Sequence, residues 1–64
     1  MDKLTVRALR LAREISQEKM AELLGIHVNT YAEWERNPSN ISVKNAFAIC
    51  EILGAPFDSV IFLS

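Results

Sequence analysis

Along the chain, apolar residues recur at intervals of three and four rather than two, the spacing that lines them up on one side of a helix. Val6 with Leu9, Met20 with Leu24, and Tyr31 with Trp34 follow this rule. No stretch alternates apolar and polar residues over a useful length, and there is no internal repeat or low-complexity segment. Gly25, Pro38, Gly54 and Pro56 punctuate the pattern. The spacing predicts an all-α, compact five-helix fold, with helices over about Leu4 to Arg13, Gln17 to Leu24, Val28 to Arg36, Val43 to Leu53 and Phe57 to Phe62.

Local chemistry sharpens the ends of these segments. Ser16 and Ser42 offer side-chain oxygens to the free N–H groups that open the second and fourth helices. The capping box at Ser16 is incomplete, because Lys19 stands where a Glu or Gln would reach back. Gly25 and Gly54 suit the left-handed residue that ends a helix. Asn37 can take the same conformation, Pro38 forbids continuation of the third helix, and Pro56 suits entry to the fifth.

With 64 residues the chain is expected to be a single domain, residues 1–64, burying only roughly 60% of the surface its unfolded form exposes. No apolar run approaches the roughly 20 residues of a membrane span, and Met1 to Lys3 leads into no signal core, so a cytoplasmic location is expected. The one cysteine, Cys50, lies in the apolar stretch Ala46 to Leu53 and reads as a small buried hydrophobe. One His, one Cys and no clustered carboxylates leave no catalytic residues, no metal site and no acid–base pair. There is no Gly-rich phosphate loop. No enzyme activity, cofactor, small-molecule ligand or membrane partner is expected.

Two short helices joined by a three- or four-residue turn that opens on glycine describe a helix-turn-helix. Here the unit runs from Gln17 to Glu35. Ala21 is small enough to let the next helix approach, Gly25 reverses the chain, and Ile26 plugs the angle between the helices. Tyr31 and Trp34 share one face and pack inward with Met20 and Leu24. The Ser16-Gln17 start, Met20-Ala21, Gly25-Ile26, the Trp34-Glu35-Arg36-Asn37 ending and the Ile52-Leu53-Gly54 close together resemble the phage repressor and Cro (Xre-like) family of transcription regulators. Each signal is weak alone; their joint spacing is specific, and it covers about residues 6 to 61.

The resemblance implies a lambda-repressor-like DNA-binding domain whose second and third helices form the helix-turn-helix. It pairs Arg10 with Glu35 in a partly buried bridge locking the first helix onto the third; two unrelated surface charges are the alternative. In this architecture the N-terminal part of the third helix enters the major groove. Val28, Asn29, Thr30, Ala32 and Glu33 are then the base-reading candidates. Asn29 can pair bidentately with adenine, Val28 can pack on a thymine methyl, and Glu33 can accept from cytosine N4. Gln17 is the residue the family uses to hold a phosphate at a helix N-terminus. Lys19, Asn40, Ser42 and Lys44 are further phosphate candidates. His27 stands where the family often has a capping Ser or Thr; it reads as an exposed turn residue or as a phosphate contact strengthened by protonation.

Charge complicates this picture. The net charge is −1, with residues 16–45 summing to −1, residues 1–15 to +2 and the remainder to −2. DNA-binding domains usually carry a basic footprint, so weak non-specific binding is expected, with specific affinity raised by a dimer on a pseudo-palindromic operator. Spare apolar residues offer such an interface. Leu4, Ala8 and Leu11 form a second stripe on the first helix, and Val60 to Leu63 close the chain. Either the tail folds over that stripe, or the two join chains about a two-fold axis. The rival to a DNA-binding repressor is a helix-turn-helix that binds protein.

Overall fold

The computed structural model describes residues 3–62. Its elements are strand β1 (Leu4–Thr5), helices α1 (Val6–Ala12), α2 (Gln17–Leu24), α3 (Val28–Arg36) and α4 (Val43–Leu53), and strand β2 (Val60–Ile61). Single 3-10 turns occupy Pro38–Asn40 and Phe57–Ser59.

The three central helices have the bounds expected from sequence. Ser16 Oγ accepts from the Lys19 amide at 3.0 Å and opens α2; Ser42 Oγ accepts from the Asn45 amide at 3.3 Å and opens α4. Gly25 and Gly54 end these helices at φ 70° and 68°, in the left-handed region that costs glycine least. Asn37 differs from expectation. It sits at φ −131°, ψ 74° rather than left-handed, because the residue before a proline is pushed toward extended backbone.

The five-helix expectation is corrected to four α-helices among the described residues. The expected fifth helix, Phe57 to Phe62, is one 3-10 turn followed by β2, which pairs in parallel with β1 in the register Leu4↔Val60 and Thr5↔Ile61. Val60 and Ile61 are β-branched and favour a strand. Helix α1 accordingly starts at Val6 instead of Leu4: Thr5 Oγ1 accepts from the Ala8 amide at 3.1 Å and caps it. The tail thus returns to the N-terminus through backbone pairing, and among the described residues Leu4 and Leu11 stay 45% and 49% exposed, so the described part of the tail leaves their stripe largely open. Leu63, part of the expected apolar tail, lies outside the described residues.

The core joins all four helices and β2. Val6, Leu9, Met20, Ala21, Tyr31, Ile49, Cys50, Leu53 and Val60 are buried, with Leu24, Ile26, Val28 and Trp34 packed against them. Cys50 is a buried free thiol, and burial pushes its pKa up. Arg13 Nε donates to the Leu53 carbonyl at 2.9 Å and satisfies the C-terminal end of α4, where a cation is favoured. The turn between α1 and α2 places Glu14 at φ 57°, a left-handed position without a glycine. No helix among the described residues is long and apolar enough to cross a membrane.

Candidate nucleic-acid interface

The junction behind α2 and α3 is built on Glu35. Its Oε2 accepts from Arg10 Nε at 2.6 Å and its Oε1 from Arg10 Nη2 at 3.2 Å, a two-pronged guanidinium–carboxylate contact. Arg10 Nη1 donates to the Ile15 carbonyl at 2.7 Å, and Gln17 Nε2 donates to Glu35 Oε1 at 3.0 Å. One carboxylate therefore ties α1, the α1–α2 turn and the start of α2 to the end of α3. Burial alone would raise the Glu35 carboxyl, but its hydrogen bonds outweigh this and hold it below the usual range. The Tyr31 hydroxyl, buried beside this pair, has no partner at hydrogen-bonding geometry. Burial first, and the Glu35 carboxylate second, raise its pKa strongly.

The outward side of α3 carries the base-reading candidates. Asn29 and Thr30 are exposed, whereas Ala32 and Glu33 are half-buried. Val28 is half-buried too and packs against the core, which leaves less of it for a thymine methyl. His27 caps α3: its Nδ1 accepts from the Asn29 amide at 3.0 Å. That bond requires an unprotonated Nδ1, so the neutral ring carries its proton on Nε2. The cap fixes the first turn of α3, from which Asn29 projects. Glu33 is not free: Oε1 accepts from Arg36 Nη2 at 2.9 Å and Oε2 accepts from the Asn37 amide group.

The phosphate candidates fall into two groups. Gln17, on Glu35, opens α2, and Lys19 lies one turn in, paired with Glu22 at 2.9 Å. Asn40, Ser42 and Lys44 are all exposed around the start of α4. Ser42 spends its hydroxyl oxygen on the cap, and Lys44 has no ion pair among the described residues. Among the described residues no group of three or more His, Cys, Asp or Glu side chains has the arrangement of a metal site.

A helix-turn-helix family of the Cro/C1, Xre-like type matches residues 6–60. The chain belongs to this family. No curated protein and no solved structure matches it. The Cro/C1 helix-turn-helix family consists of DNA-binding domains and is typically non-enzymatic. Its defining unit here is α2, the Gly25–His27 turn and α3.

Two features of this Cro/C1-type domain escaped sequence reasoning. Arg36 and Asn37 share the outward ridge of α3 with Asn29 and Glu33 and occupy both oxygens of the Glu33 carboxylate. The spacing Asn29–Glu33–Arg36, four then three, was the available signal. The second feature is the use made of Arg13, at the end of the basic first helix. Arg13, though exposed, donates to the Leu53 carbonyl, while the buried Arg10 is engaged by Glu35, the pairing the family resemblance implies. Among the described residues, Lys3, Arg7 and Lys44 are the cations free of an ion pair or carbonyl contact. The shortage of positive charge at the reading face is therefore greater than the net charge conveys.

Proposed function

We propose that the protein binds a pseudo-palindromic operator in double-stranded DNA as a dimer and represses transcription by steric blockage. The observation that carries this reading is the outward start of α3. Asn29 projects from a turn capped by His27, and its amide group has no intramolecular partner among the described residues. An amide held this way suits adenine N6 and N7 in the major groove. Val28, Thr30 and Ala32 flank it, and Glu33 accepts from cytosine N4 where its oxygens retain lone pairs. Gln17, held by Glu35 through one N–H, keeps its other N–H for a phosphate at the start of α2. Lys19, His27, Asn40, Ser42 and Lys44 supply the remaining backbone contacts, which position the protein without reading sequence.

Dimerisation is supported by an aromatic cluster on α4 and the segment that follows it. Phe47 and Phe57 stack with centroids 4.6 Å apart, and Phe57 and Phe62 at 5.2 Å. Phe47 is 55% exposed, and Val43, one turn before it on α4, is 67% exposed. Beside the rings runs a groove lined by Val60 and Ile61, with Lys3 and Asp58 of opposite sign on its walls. Such a patch complements itself about a two-fold axis. A symmetric pair would set two α3 helices on half-sites roughly 34 Å apart.

The test is an NMR titration of labelled protein with a generic 20-base-pair duplex at two salt concentrations. Salt-sensitive shifts at Gln17, Lys19, Val28 to Glu33 and Asn40 to Lys44 are expected. A silent spectrum at low salt overturns the reading and leaves the aromatic face as the basis for a protein-binding module. Sedimentation of Phe47→Asp beside the parent checks the dimer: the parent is expected to self-associate and the variant to be monomeric. Monomers in both cases remove it.

A further inference from the structure

The outward ridge of α3 holds a charge that the reading above leaves unused. Asn29, Glu33 and Arg36 stand four and three residues apart and share one side of the helix. The side chains of Arg36 and Glu33 are 66% and 42% exposed, so their pairing at 2.9 Å is made at the surface that would face DNA. Arg36 stands about 10 Å beyond Asn29 along the helix axis, at ~1.5 Å per residue. The major groove is roughly 12 Å wide. With Asn29 on a base edge, Arg36 is therefore at the level of a groove wall, where phosphates lie.

We propose that Arg36 is a DNA-phosphate contact latched by Glu33, so that a backbone phosphate must displace the carboxylate before Arg36 contributes to binding. The inference rests on the DNA-binding reading and adds to it a residue and a reason for the acidic recognition unit. Asn37 holds the second Glu33 oxygen and keeps the carboxylate on the Arg36 side of the ridge. Arg36 spends one Nη2 hydrogen on Glu33 and retains four further N–H donors. A phosphate presented in register, with Asn29 seated on its base, offers two oxygens and a full charge to the guanidinium and wins the exchange. A phosphate met out of register faces the Glu33 charge without that compensation. Glu33 thus lowers affinity for arbitrary sequence more than for a matched site. This explains why a DNA-binding surface short of cations carries a glutamate at its centre: the residue favours discrimination over affinity.

The experiment measures affinity for a generic 20-base-pair duplex against salt for the parent, Arg36→Gln, Glu33→Gln and the double variant. Both positions changed carry solvent-accessible side chains, and melting curves check that each variant folds. Arg36→Gln is expected to flatten the slope of log affinity against log salt by about 0.9, the value of one phosphate contact on duplex DNA. Glu33→Gln is expected to tighten generic binding about two- to fivefold, the scale of an exposed ion pair. In the Arg36→Gln background that gain is expected to vanish, because the latch acts through Arg36. An unchanged slope in Arg36→Gln overturns the phosphate contact. An equal gain from Glu33→Gln in both backgrounds overturns the latch, since Glu33 then repels DNA directly. A parent without salt-sensitive binding removes the DNA reading itself, which separates that failure from the other two.

Discussion

Helix α3 carries a glutamate on each side. Inward, Glu35 takes two bonds from Arg10, with side chains 3% and 8% exposed. Outward, Glu33 takes one bond from Arg36, with side chains 42% and 66% exposed. The same two residue types meet at similar distances, yet the surroundings give them opposite meanings. Water is nearly excluded from the inward pair, so removing either partner strands a buried charge. The outward pair is solvated and easily exchanged, as a contact meant to yield to a ligand must be. The position of a charge relative to solvent, more than its identity, decides whether it stabilises this domain or tunes its binding.

The sharpest way to break the comparison is to remove the inward pair. Arg10→Ala and Glu35→Ala are each expected to cost about 3–5 kcal/mol. That rivals the whole stability expected at ~0.05–0.15 kcal/mol per residue. Circular dichroism should find both variants largely unfolded at room temperature; a melting temperature close to the parent's would contradict the account.

Next comes Gln17→Ala, which removes a hydrogen bond to the Glu35 carboxylate and is expected to cost about 1.5–3 kcal/mol, the range for bonds to charged groups. Urea titration gives the value directly.

Acid should separate the two sides as well. Glu35 has a folded pKa below its ordinary value, so the stability it contributes is full above the ordinary carboxylate range. That contribution declines as pH falls from roughly 4.3 through the lower folded value. In Glu35→Gln the starting stability is lower and this part of the acid decline is absent. Equal decline in both proteins would show that Glu35 is not the titrating group.

The smallest effect lies in the turn beside the inward pair. Glu14→Gly removes a left-handed backbone cost of roughly 1–2 kcal/mol and adds glycine's unfolded-state entropy of about half that. A net gain of up to about 1 kcal/mol is expected, read as a small rise in melting temperature. A loss would mean that Glu14 makes a compensating contact.

Helices α2, α3 and α4 were legible residue by residue, because their signals are local. For α2 and α4 a serine three residues before the amide it caps, and a glycine at the end, act within one turn of helix, and Pro38 stops α3 just as locally. Thr5 carries the same signal for α1 and went unread, since Leu4 continued the apolar spacing. The candidate interface was legible as a set of positions on α3, but the state of those positions was not. That Gln17 rests on Glu35, that Glu33 is held by Arg36 and Asn37, and that His27 caps through Nδ1 are choices among several partners within reach.

The sequence by itself determined the helix-turn-helix, its inward face and the family. Periodicity, caps and turn glycines are short-range physics that survives without a fold. Only the tertiary structure decided the fate of the two ends and the employment of the charges. The pairing of Leu4–Thr5 with Val60–Ile61 joins opposite ends of the chain, and Arg13 meets the Leu53 carbonyl across 40 positions. Such contacts exist only once the core between them has closed, and no local pattern encodes which distant partner will be there.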